Sequence, residues 1–103
     1  MPIYNKLVRD NIPQIIASSG RKARCTTLND ADYARELVKK LSEEVAEYVS
    51  DGSIEGLADV LEVVYALAAA QGCTLKQLEE ARLQKARQRG AFRDKVFLVR
   101  VDD

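Results

Sequence analysis

The stretch LSEEVAEYVSDGSIEGLADVLEVVYAL, residues 41–67, decides how this chain folds. At 100° per residue, Leu41, Val45 and Tyr48 share one face of a helix. Glu44 lies at the edge of that stripe and Glu47 further round beside it, whereas Glu43 points nearly opposite, the position of a merely solvated charge. After the turn Asp51-Gly52-Ser53 comes a second helix, apolar on almost every side through Leu57, Val60, Leu61, Val63, Val64 and Leu67, the pattern of a helix packed against several neighbours. Its acids do not scatter: Glu55, Asp59 and Glu62 follow at i, i+4 and i+7 and form one ridge, continued by the small residues Ala66 and Ala69. So short a turn folds the two helices back as an antiparallel hairpin, which brings Glu44 and Glu47 opposite Asp59.

Carboxylates gathered in this way repel one another, by roughly 1 kcal/mol at about 4 Å in water and about 4 kcal/mol near a protein surface. They need solvent, protonation or a cation. Ligands that are all oxygen suit hard ions, Mg²⁺ or Mn²⁺ before Zn²⁺. The plainer alternative is that both ridges are the wet faces of amphipathic helices, which charge runs usually are.

Outward from the hairpin, Asp10 or Asn11 caps a short helix that carries Pro13 in its first turn, runs to Ser18 and stops at Gly20. Lys6 and Arg9 precede it, as phosphate ligands or as surface charges. Residues 24–28 have strand character, with Thr26 and Thr27 favouring extended backbone. Asn29 or Asp30 caps the first hairpin helix, residues 31–50, and the second runs over residues 54–71 to Gly72. Thr74 with Gln77 fits a capping box that opens a third long helix reaching Arg89. One side of it begins with Leu75 and Leu78 and turns cationic through Arg82, Lys85 and Arg89, a row of phosphate donors or a solvated surface with Glu79 and Glu80 at hand to pair with. Residues 95–101 read as a strand able to pair antiparallel with residues 24–28. The expected fold is mainly α: a helical hairpin core, a third long helix, a short N-terminal helix and a small two-stranded β ribbon, in one domain over residues 1–103.

Composition narrows the chemistry. The chain has no histidine, which removes Ser/His and Cys/His nucleophile systems, the usual zinc sites and histidine general bases. Any catalysis must rest on carboxylates, lysines and arginines. Sixteen basic residues balance sixteen acidic ones, so no net field draws the chain to nucleic acid or to an anionic membrane. Asp59 and Glu62 interrupt the apolar run over residues 58–70, and no secretory leader is evident. Cys25 and Cys73 form no CxxC pair, and reduced thiols in a cytoplasm are the expectation.

Four segments, Tyr4-Asn5-Lys6-Leu7-Val8-Arg9-Asp10, Glu43-Glu44-Val45-Ala46-Glu47, Gly56-Leu57-Ala58-Asp59-Val60-Leu61-Glu62 and Arg89-Gly90-Ala91-Phe92, together resemble the MazG-like, all-α nucleotide pyrophosphohydrolases, in their phosphoribosyl-ATP pyrophosphohydrolase-like branch. The resemblance runs nearly from end to end. It implies an EExxE motif on one helix and an ExxD motif on the next that bind Mg²⁺, and cleavage of a nucleoside triphosphate between the α and β phosphates. By position, Glu44 and Glu47 would be metal ligands from the first helix and Asp59 from the second, and Glu43 or Glu44 would deprotonate the attacking water. Lys6, Arg9, Lys85 and Arg89 would hold the distal phosphates. One position departs from the pattern: Gly56 stands where the family has the glutamate of ExxD, leaving Glu62 or Glu55 to replace it, or the site short of a ligand. Tyr4, Tyr33, Tyr48 and Phe92 are candidates for stacking on a base, although such residues more commonly fill cores and interfaces. The resemblance further implies a homo-oligomer, dimer or tetramer. A helical binding or assembly module that keeps the fold without turnover is the competing expectation, with Gly56 in its favour; a nucleic-acid binder is disfavoured by the charge balance.

Overall fold

The computed structural model describes residues 2–103 and holds four α-helices among them: α1 (Ile12–Ser18), α2 (Asp30–Asp51), α3 (Ile54–Ala70) and α4 (Leu75–Arg89). Local chemistry sets each boundary. Asn29 caps α2, its side chain accepting from the Asp32 amide, and Asp30 and Asp32 place negative charge at the positive end of the helix. Gly52 ends α2 in the left-handed conformation, φ 62°, where a side chain would strain the backbone. Ser53 caps α3 by accepting from the Gly56 amide, and the capping box of Thr74 and Gln77 opens α4.

The α2–α3 hairpin is the main packing unit, and α4 leaves α3 at a bend of 109°. At its centre Leu37 is 2% exposed and Val63 and Ala68 are buried, but no large side chain is completely enclosed. Gly56 is buried in the first turn of α3, a Cβ there lying 3.5 Å from the Tyr48 backbone and 3.2 Å from the capping Ser53 hydroxyl.

Two expectations are corrected. No strand forms among the described residues, and neither residues 24–28 nor residues 95–101 make a backbone hydrogen bond there, so the β ribbon is absent. Residues 95–101 have strand propensity but nothing alongside: Val96, Phe97 and Val99 are each more than four-fifths exposed. Nor is α3 enclosed on all sides. Its stripe of Ile54, Leu57, Leu61 and Tyr65, opposite the face that meets α2, is open to solvent.

The whole chain is correspondingly extended. Its radius of gyration is 18.2 Å against about 13 Å for a compact chain of this length. Its accessible surface is 9557 Å², where a folded monomer of 11.5 kDa exposes about 5,800 Å². With so thin a core, Leu37 is the side chain the hairpin can least lose. Leu37→Ala is expected to cost about 2–5 kcal/mol in urea unfolding at fixed protein concentration, whereas the exposed Val49→Ala, on the same helix, should cost under about 1 kcal/mol.

Candidate functional site

A cleft of about 570 Å³ lies between the hairpin and the N-terminal segment. Leu37 and Val63 form its apolar floor, Glu44, Asp59 and Glu62 bring carboxylates to it, and Arg9 and Lys40 bring cations. Residues 2–11 have no helix or strand, and two ion pairs tie them to the hairpin: Lys6 Nζ lies 3.2 Å from Glu43 Oε1 on α2, and Arg9 Nη2 lies 2.6 Å from Asp59 Oδ1 on α3.

On α2, carboxylate oxygens of Glu43, Glu44 and Glu47 all lie within 4.8 Å of one another. Glu44 is the unusual member. It is 8% exposed, and its Oε2 makes no hydrogen bond although it is shut away from solvent. Its Oε1 lies 3.4 Å from Lys40 Nζ. Burying half of a carboxylate without a partner costs energy that most proteins avoid. The helix wheel explains its position: Glu44 follows Leu37 by seven residues, so both face α3, while Val45, assigned above to the packed stripe, turns out to solvent.

Glu43 is likewise corrected, being half-buried rather than a free surface charge. Partial burial raises its pKa, but donation from Lys40 and Lys6 outweighs this and holds the group below its ordinary value of 4.5. Glu47 is exposed, and its pKa is raised chiefly by the neighbouring charge of Glu44.

The remaining candidates divide. Asp59 and Glu62 line the same cleft but lie outside the close triad, with Asp59 held by Arg9. Lys6 and Arg9 reach the acids. Lys85 and Arg89 do not: both lie exposed on α4, which meets only α3, away from the cleft. Of the aromatic candidates, Tyr33 lines the cleft, Tyr48 is half-buried, and Tyr4 and Phe92 are exposed, with the Lys6 ammonium 5.9 Å from the Tyr4 ring. Lys40 went unnoticed in the sequence. Its signal was there, because a lysine three and four residues before Glu43 and Glu44 stands on their face of the helix; its Nζ is 3.2 Å from Glu43 and its side chain is only 16% exposed.

Gly56 is packed against α2, and a Cβ there would sit 3.2 Å from the capping Ser53 hydroxyl, which would have to give by a few tenths of an ångström. Glu55, its neighbour, is exposed and does not line the cleft, whereas Glu62 does.

No family model and no solved structure matches the chain. An uncharacterised protein of Mycolicibacterium smegmatis is 46% identical to it over 55 residues, which are 50% of this chain and 56% of that relative. The chain therefore spans little more than half the length of the curated relative it matches.

The opposite shifts of Glu43 and Glu47 give opposite signs in a stability measurement. With a folded pKa below 4.5, Glu43 contributes stability that is present above that pH and lost as the pH falls through its lowered value. With a raised pKa, Glu47 contributes stability below 4.5 and loses it as the pH rises through its folded value. In metal-free buffer at pH 7, Glu43→Gln should therefore lower the melting temperature and Glu47→Gln should raise it, as read by thermal scans in parallel. Lys40→Met removes the ammonium that competes with any other cation for these acids, and should tighten binding of Mn²⁺ by several-fold in calorimetry.

Proposed function

We propose that the chain is a divalent-cation-dependent nucleotide pyrophosphohydrolase of the MazG-like class, which splits a nucleoside triphosphate or a related nucleotide between the α and β phosphates to give a monophosphate and pyrophosphate, with clearance of unwanted nucleotides as a role. The observation that carries this reading is the buried Glu44 carboxylate, one oxygen of which has no partner, beside two further carboxylates. An unsatisfied, enclosed oxygen in an all-oxygen donor set fits Mg²⁺ or Mn²⁺. Glu44 and Glu47 would hold the ion from α2, and Asp59 and Glu62 from α3. Bound there, it would neutralise phosphate oxygens and acidify a water.

The chain's own groups do the rest. Glu43, kept ionised by Lys40 and Lys6, accepts the proton of the attacking water. The water oxygen bonds to the α phosphorus as the bond to the bridging oxygen breaks, and pyrophosphate departs with that electron pair. Lys6 and Arg9, at the cleft side of the N-terminal segment, exchange their carboxylate partners for phosphate oxygens and take up the leaving group's charge. Lys85 and Arg89 have no part in this reading, since they lie outside the cleft of their own chain. A cytoplasmic homo-oligomer, dimer or tetramer, is the proposed working unit; the surface left open by the thin core supports the association.

The second reading is an assembly module of the same fold without turnover. It is favoured by Gly56, which removes one carboxylate of the family set, and by the Arg9–Asp59 bond, which occupies another.

Pyrophosphate release from a panel of ordinary and modified nucleoside triphosphates, with and without Mg²⁺, separates the two. Turnover should require the ion and should be lost in Glu44→Gln and Asp59→Asn with the helical circular dichroism unchanged. Saturation at about 100 times the dissociation constant should stabilise the wild type by about 2.7 kcal/mol. A melting temperature indifferent to millimolar Mg²⁺ and Mn²⁺ overturns the metal site, and a cation shift without turnover of any nucleotide selects the assembly module.

A further inference from the structure

Residues 95–103, KVFLVRVDD, leave the body of the protein as an extended arm. The arm starts abruptly at Lys95, whose φ of 60° lies in the left-handed region. Beyond it Val96, Phe97, Leu98, Val99 and Val101 are all exposed, from 73% for Leu98 to 87% for Val96 and Phe97. Five large apolar side chains in six residues, with backbone donors and acceptors unpaired, make a β edge with nothing on it.

We propose that this arm pairs antiparallel with the same arm of a second copy of the chain, forming across a twofold axis the ribbon that one chain cannot make alone. The proposal rests on the oligomer reading above and supplies its contact. Charge argues for the direction. Lys95 opens the arm, after Arg93 and Asp94, and Asp102 and Asp103 follow its apolar run, so antiparallel arms set Lys95 against the acids twice, whereas parallel arms in register would oppose like charges.

One register uses the whole pattern. With Val99 opposite Val99 of the second copy, one face of the ribbon runs Lys95 to Asp103, Phe97 to Val101, Val99 to Val99, Val101 to Phe97 and Asp103 to Lys95: an apolar middle closed by an opposite-charge pair at each end. A shift by one residue in either direction separates these pairs. A lone two-stranded ribbon is marginal in water, and needs further apolar cover. The open Leu57, Leu61 and Tyr65 of α3 supply it.

Area argues for a permanent association rather than a passing one. The chain exposes 9557 Å², roughly 3,800 Å² more than a compact monomer of its mass. Obligate dimers bury about 2,000–5,000 Å² in total, within what two such chains have open.

Sedimentation equilibrium of the full chain and of the chain ending at residue 94 tests the arm. The full chain should be dimeric or larger, and removal of the arm should weaken association at least tenfold with helical circular dichroism unchanged. Position is read by crosslinking in a Cys25→Ser, Cys73→Ser background. Val99→Cys should form a covalent dimer on mild oxidation, since directly opposed residues lie about 4.5–5.5 Å apart at Cα, within disulfide reach. Leu98→Cys, whose twin lies one diagonal step away, should form far less. Lys95→Asp should loosen the assembly several-fold and Lys95→Asp with Asp103→Lys should restore it. Unchanged association without the arm, or equal crosslinking at 98 and 99, overturns the arm while leaving the oligomer; a full chain monomeric at all concentrations overturns both.

Discussion

A carboxylate sits where this chain has its core. Glu44 shares a helix face with Leu37 and packs into the α2–α3 hairpin, whose other buried members are small or few. Every other feature answers to that placement. Lys40 reaches one oxygen of Glu44, Lys6 and Lys40 divide Glu43 between them, and Glu47 is left facing a charge it cannot escape. A fold with so little apolar burial loses stability by enclosing a carboxylate with one oxygen unpartnered.

Gly56 is buried one turn before Asp59, where a Cβ would meet the Ser53 hydroxyl at 3.2 Å and the Tyr48 backbone at 3.5 Å. A side chain there would crowd the Ser53 hydroxyl that starts α3, and that hydroxyl would have to shift by a few tenths of an ångström to keep its cap.

The helices were legible in the sequence because their signals are local. Asn29, Gly52, Ser53 and the Thr74–Gln77 box lie within four residues of the boundaries they set. The acidic cluster was legible in part: spacing placed Glu44 and Glu47 on neighbouring faces, yet the stripe of Leu41, Val45 and Tyr48 put the buried side of α2 about 60° from where Leu37 and Glu44 place it. Val45 is ordinary strand or helix filler whichever way it faces, and only the partner helix decides. The β ribbon failed for a different reason. Residues 95–101 have the alternation and the branched side chains of a strand, but propensity says nothing about whether a second edge lies within reach, and among the described residues none does.

Residues 2–11 are fastened to the hairpin by charge rather than by grease. Both fastenings are partly open to solvent, Lys6 with Glu43 and Arg9 with Asp59, and exposed pairs of this kind hold by about 0–1 kcal/mol each and weaken within a Debye length of about 8 Å in physiological salt. The front wall of the cleft is thus held most firmly in dilute electrolyte, and added salt weakens both fastenings together.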